Sequence, residues 1–249
     1  MPRTTPAESG PLGFSDAIVH AWLAAGPTRE RIDGAAVVVN AGAEAATIDG
    51  PVPQTLAPFD ATLVRDAAVE GAGSLIVLAV READSVGALA SAPGWRPLAE
   101  IVDAPDDAIR QTALWRSPKA PVATVSLDDG EPALAGFPQD GSRRFAATAN
   151  LWFAPAGTDC LIHDRHGFVE FHAQLHGVGV MQKFRERDPA TLFEERWLVP
   201  GVAHRAFDCV PEAPGVYRYP WHQYRAETDC VWLAVEYHPE DARPRAGRE

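Results

Sequence analysis

The sequence predicts an all-β fold, and three observations carry that prediction. Proline (22 residues) and glycine (20) are frequent enough in 249 residues to divide the chain into many short elements joined by turns. From Gly34 onward, short apolar or alternating runs replace any sustained helical period: Ala35–Asn40, EAATIDG, TLAPFDATLVRD and Gly73–Glu82. The second half also echoes the first in the same order. Leu56–Asp66 aligns with Leu198–Asp208, GSLIVLAVRE with CVWLAVEYHP, and VVVNAGAEAATIDG with HAQLHGVGVMQKF, as in a two-lobe repeat of strand-rich units.

Taken in order, residues 1–13 read as a mobile leader. Ser15 or Asp16 can cap a short helix running through Ala25, with Gly26 as its stop. Ile18, Val19, Trp22 and Leu23 then form a stripe for packing on a sheet, with His20 off it in solvent. The strand-like runs follow. Residues 83–118 hold helical fragments interrupted by Pro93, Pro97 and Pro105. Trp95, Leu98, Ile101, Ile109, Leu114 and Trp115 want burial, so this is a connector packed on the sheets. The division is then 1–118, a lobe with an N-terminal helix and a connector, and 119–249, a second lobe.

Composition sets outer bounds. A chain 46% hydrophobic and 22% charged is ordinary for a globular protein and long enough for an ample core. A net charge of −12 argues against non-specific nucleic-acid or anionic-membrane partners. There is no apolar run of about 18 residues. The N-terminal stretch lacks an apolar signal core, which makes a cytoplasmic location the expectation. Cys160, Cys209 and Cys230 are an odd number without a CxxC, and reduced thiols are expected.

The chemistry concentrates between Asn150 and Phe184. Four of the eight histidines, His163, His166, His172 and His176, fall there within fourteen residues. With a period of two, Glu170, His172, Gln174 and His176 point one way and Val169, Phe171, Ala173 and Leu175 the other. A merely solvated face favours Lys, Glu, Thr and Ser, whereas imidazole has a chemical use. Tyr217, Tyr219, His222 and Tyr224 lie in a second-half insertion with no counterpart in the first, a lid or pocket wall. No nucleophile elbow, HExxH, phosphate-binding loop or dinucleotide fingerprint is present.

Residues 160–210 resemble the cupins, small double-sheet β-barrels whose first motif is G-x5-H-x-H-x3/4-E-x6-G and whose second is G-x5-P-x-G-x2-H-x3-N. His166, Glu170 and Gly177 reproduce the later spacing of the first motif, and Pro200, Gly201 and His204 resemble the second. Asp164 stands where the first histidine of H-x-H belongs, with His163 just before it. The resemblance implies two cupin-like double-stranded β-helix barrels or jelly rolls with a few short helices, the first degenerate and the second metal-binding. It implies one divalent transition metal (Fe, Mn, Ni or Zn) on His166, Glu170 and His204, with His163 or Asp164 as fourth ligand. His172, His176 and His222 become candidates for proton transfer or substrate contact. The implied activity is that of a metal-dependent enzyme on a small polar molecule, of dioxygenase, isomerase or lyase type. The alternative is a non-catalytic small-molecule binder or sensor. A homodimer is left open.

Overall fold

The computed structural model describes residues 3–240, apart from 104, 129, 139, 140, 205 and 214. In chain order its strands are β1 (Arg3–Pro6), β2 (Gly10–Pro11), β3 (Val19–Ala25), β4 (Thr28–Asn40), β5 (Ala46–Ile48), β6 (Gln54–Leu56), β7 (Asp60–Gly71), β8 (Ser74–Val80), β9 (Arg96–Pro97), β10 (Trp115–Arg116), β11 (Ala120–Leu127), β12 (Arg143–Ala154), β13 (His163–His166), β14 (Val169–His176), β15 (Gly179–Phe184), β16 (Leu192–Leu198), β17 (Val210–Ala213), β18 (Val216–Ala226) and β19 (Cys230–Pro239). The α-helix α1 (Asp107–Gln111) and a few 3-10 turns complete the described elements, so the chain is all-β.

The strands form three antiparallel sheets. The first runs β2-β3-β8-β4-β7-β5-β6. The second sets β12 at its centre, with β19 and then β14 on one side, and β11 and β1, continued by β10 and β9, on the other. The third runs β13-β18-β15-β16, with β17 also on β18.

Two N-terminal expectations are corrected. Residues 19–25 are the strand β3, not the end of a helix. Asp16 closes a turn by accepting the N–H groups of Ile18 and Val19, and the Ser15 hydroxyl accepts that of Ala21. Val19, Ala21 and Leu23 then alternate into the core beside β8, where a period of two overrides the weaker helical reading. His20 is half-buried. Part of the supposed leader is β1, paired along its length with β11 of the second half.

Of the connector residues expected to be buried, Trp95 and Leu114 are, while Leu98, Ile101, Ile109 and Trp115 are half-buried. Val86 and Leu89 are also buried, and β9 and β10 extend the sheet at β12. One apolar core crosses between the halves. Val37, Val39, Ile76 and Leu78 of the first sheet meet Val169, Phe171, Ala173 and Leu175 of β14. Phe59 lies 6.4 Å from Phe171 and 5.5 Å from Tyr237, ring centre to ring centre, and the Tyr237 hydroxyl donates to the Ala41 carbonyl at 2.8 Å.

One turn occurs in both halves. Phe59 follows Pro58 with φ 57°, and Gly201 follows Pro200 with φ 90°. Each donates its N–H to a neighbouring strand, at the Asn40 and Gln174 carbonyls respectively. A β-carbon on Gly201 would lie 2.3 Å from the Leu63 nitrogen, so only glycine fits there.

Candidate metal centre

β14 is buried on both faces, and its alternation explains how. The apolar row enters the core shared with the first sheet, while Glu170 and His172 line a cavity of about 360 Å³ on the other side. That cavity lies among the second and third sheets and the connector, whose Leu98, Ile101, Val102, Ile109 and Leu114 close one wall. Trp152, Trp232, Tyr224, Phe168 and Ile162 add to the apolar surface, which makes up most of the lining.

Among the described residues one group of at least three His, Cys, Asp or Glu side chains converges: His163, His166 and His222, with ligand atoms all within 4.8 Å of one another. His163 and His222 are paired across β13 and β18. Residues three apart point to opposite faces of a regular strand. The register shifts between the His163↔His222 and Arg165↔Arg218 pairs, and this breaks the alternation, so that His163 and His166 meet. Pro220 lies opposite the shift. It has no N–H for the ladder, and its carbonyl instead receives a ring N–H.

The tautomers follow from these bonds. His163 Nδ1 lies 3.0 Å from the Leu161 carbonyl and His222 Nδ1 2.8 Å from that of Pro220. A carbonyl only accepts, so each Nδ1 carries the proton and each Nε2 a lone pair. His163 Nε2 faces His166 Nε2 at 3.1 Å. With bonds of about 2.1 Å to one metal, neighbouring donors stand about 3.0 Å apart at right angles and about 3.4 Å in a tetrahedron. The His163–His166 spacing suits either, and with small movements of the His222 ring the triad could hold a metal ion. Burial pushes all three imidazoles below their ordinary range, His166, beside His163, to about 3, so they are neutral and ready to coordinate.

Glu170 is the adjoining carboxylate, its Oε1 3.3 Å from His166 Nε2 and its Oε2 3.6 Å from His172 Nε2. Burial, and then the charge of Glu236, push it up to about 8. His172 Nδ1 makes a short hydrogen bond with the Tyr224 hydroxyl.

The remaining expected site residues lie elsewhere. His204 stands beside β14, its N–H on the His172 carbonyl, and its Nε2 accepts the His172 backbone N–H at 2.8 Å. That lone pair is engaged, and His204 is not in the converging group. Asp164 is nearly buried and turns toward Arg165, 3.5 Å away. His176 lies past a register shift in β14 and is not among the residues lining the cavity. His222 belongs to β18 inside the third sheet, so of the two expectations for this stretch, lid or pocket wall, it is a wall strand, and the histidine expected to move protons or touch substrate joins the triad. Sequence reasoning also passes over Glu236, Lys119 and Arg116. The buried Glu236 is held by Lys119, by His238 at 3.0 Å and by the buried Asn150 at 2.8 Å, in a polar set next to the cavity. The Glu236↔Glu170 pairing of β19 and β14 is the signal that would have found it, and register is not visible in one sequence.

No protein-family model and no curated protein matches the sequence. Solved structures do resemble parts of it. A cupin-2 domain protein of Rhodospirillum rubrum is 13% identical over 59% of this chain and 70% of its own, with a TM-score of 0.30. A Thermus thermophilus protein is 19% identical over 37% and 72%, at 0.26. Oxalate oxidase in complex with glycolate is 10% identical over 39% and 43%, at 0.26. Likeness this low says nothing of activity. The chain sets antiparallel sheets around a largely apolar cavity, and His166, Glu170 and Gly177 keep the spacing of the cupin motif they resemble.

Proposed function

We propose that the protein is a metal-dependent enzyme acting on a small molecule within the cavity of its second half. The observation that carries this reading is the pair of fixed tautomers. His163 and His222 each give Nδ1–H to a backbone carbonyl, so their Nε2 lone pairs are left for the centre they share with His166. Lone pairs on His163 and His166 3.1 Å apart repel unless a proton or a cation lies between them. Three neutral nitrogens with the Glu170 carboxyl alongside, which a bound cation would favour in its ionised form, suit Fe(II), Mn(II), Ni(II) or Zn(II). A metal there supplies Lewis acidity toward a substrate oxygen at an open coordination position.

The chain's own groups supply the rest. Glu170 lies between the two rings, 3.3 Å from His166 and 3.6 Å from His172, and is placed to orient His172. His172, backed by Tyr224, faces the cavity and is placed to take or return a proton at Nε2. The connector residues Leu98, Ile101 and Leu114 keep water from the apolar body of the ligand. That lining shifts the expected substrate from a wholly polar molecule to one with a polar end and an apolar body.

The test is metal content. Protein expressed in medium supplemented with each metal should hold about one ion per chain by elemental analysis. The cobalt-substituted form should show the absorption of nitrogen coordination. A wild type that stays metal-free under every loading condition would sink the enzyme reading.

A further inference from the structure

We propose that the cavity takes a small carboxylate with an apolar body, and that Arg116 binds its carboxylate end. This deepens the metal reading, on which it rests only for the far end of the ligand. Arg116 projects from the two-residue strand β10 into the cavity lining, its guanidinium 5.7 Å from the Trp152 ring centre. Its Nε is buried and has no hydrogen-bond partner. Among the described residues no carboxylate lies within ion-pair distance of it. Lys119, on the same wall, is by contrast taken up by Glu236. A buried guanidinium donor without an acceptor costs free energy, which an incoming planar carboxylate would recover through paired N–H bonds. Arg187 also lines the cavity and is exposed, close enough to His163 to act on its charge. Cations at the cavity in a chain of net charge −12 favour an anion there over the bulk surface. The neighbouring Leu98, Ile101, Ile109 and Leu114 receive hydrocarbon.

The experiment is calorimetric titration of zinc-loaded and metal-free protein with 3-phenylpropanoate and octanoate and with their primary amides. The carboxylates should bind at least about tenfold more tightly than the amides. Arg116→Gln should abolish that preference, Arg116→Lys should restore part of it, and Arg187→Gln should leave it standing. Amides that bind as well as acids, an Arg116→Gln protein that keeps the preference, or no binding by either acid would overturn the proposal. The two readings fail separately. A His222→Ala protein that takes no zinc yet still prefers carboxylates removes the metal and keeps Arg116. Zinc bound without a carboxylate preference does the reverse.

A different surface carries a second inference: the edge of the third sheet pairs with a second copy of the chain. β16 ends that sheet, and among the described residues no strand lies on its other side. Its residues 192–197 are all exposed, Trp197 by 58% and Phe193 by 46%, and Val199 and Leu63 extend the apolar patch. A long exposed apolar edge is a pairing template that proteins otherwise blunt. The sequence Leu-Phe-Glu-Glu-Arg-Trp-Leu is complementary to itself. In antiparallel pairing about a twofold axis at Glu195, Glu194 opposes Arg196 of the second copy and Phe193 opposes its Trp197, each twice. The two Glu195 carboxylates meet at the axis, and each already accepts from Gln182 at 2.7 Å.

Sedimentation analysis tests this. The wild type should be dimeric, and Arg196→Glu or Glu194→Arg alone should shift it toward monomer with an unchanged circular-dichroism spectrum. The double exchange, Glu194→Arg with Arg196→Glu, should restore the dimer. A monomeric wild type, single variants as dimeric as the wild type, or a double exchange without recovery would overturn it.

Discussion

The sequence motif and the folded chain name different third ligands, and one pair of substitutions separates them. The motif spacing points to His204, whereas the fold brings His222 to His163 and His166. A four-ligand zinc site is worth about 10–16 kcal/mol, so one ligand carries about 2.5–4 kcal/mol. His222→Ala should therefore weaken metal binding by about a hundred- to a thousandfold. His204→Ala removes the acceptor of the buried His172 N–H, a bond of 2.8 Å, and touches no triad atom. Its cost should appear in stability, at about 1–3 kcal/mol, with metal affinity within a few-fold of wild type. Competition against a chromophoric chelator gives the affinities, and urea denaturation of the metal-free proteins gives the stabilities. A His204→Ala protein that loses the metal while His222→Ala keeps it would refute the triad and restore the motif's ligand.

Two further outcomes follow from the same geometry. Burial alone would raise Glu236, but the His238 hydrogen bond, Lys119 and Asn150 outweigh it and hold the carboxyl at about 2. A carboxylate depressed from its ordinary 4.5 stabilises the fold above that pH and loses its contribution as the pH falls toward 2, here about 3 kcal/mol in all. Urea denaturation between those limits should show the loss in wild type and not in Glu236→Gln, and parallel profiles would contradict it. Gly177 has φ 75°, and a β-carbon on it would lie 2.0 Å from the Asp229 carbonyl oxygen. Gly177→Ala should cost about 2–4 kcal/mol, against about 1 kcal/mol for Gly26→Ala, which has the same φ and open space around it. Equal melting temperatures for the two variants would remove this account of the motif glycine.

Much of the fold is legible in the sequence because a period of two is a local signal. Val169–His176 shows both of its faces in the bare sequence, and both face as the alternation requires at Glu170, His172, Phe171 and Leu175. Residues 15–25 mislead because Ile18, Val19, Trp22 and Leu23 fit a helical stripe as well as Val19, Ala21 and Leu23 fit a strand. Only the presence of β8 alongside decides between them. The site is legible in its residue types and less so in its partners. His163 and His166 stand out by type, but three-residue spacing gives no reason for them to converge. The cause is the register shift opposite Pro220, which depends on pairing between segments more than fifty residues apart. Arg116 gives no signal for a similar reason: it lies in a stretch that reads as connector, and only the folded chain brings that stretch to the cavity.

The first half has a physical part in the site even though it supplies no residue of the triad. A strand with Glu170 and His172 on one face needs its other face covered, or the apolar row would lie in water and the strand would lose its reason to sit between layers. Val37, Val39, Ile76 and Leu78 provide that cover, with Phe59 against Phe171. Close packing on that side fixes the backbone of β14, because cores resist shifts of even a methylene. The fixed backbone holds the His172 carbonyl and N–H on His204, and the Glu170 carbonyl on the Phe207 N–H. The segment after Pro200 is thereby bound along β14, and the polar row is left with one direction to face. A cavity-forming change on the far side, such as Phe59→Ala, is thus coupled to the orientation of Glu170 through β14 and not through any contact with the metal site. One apolar core that includes residues of both halves carries this coupling.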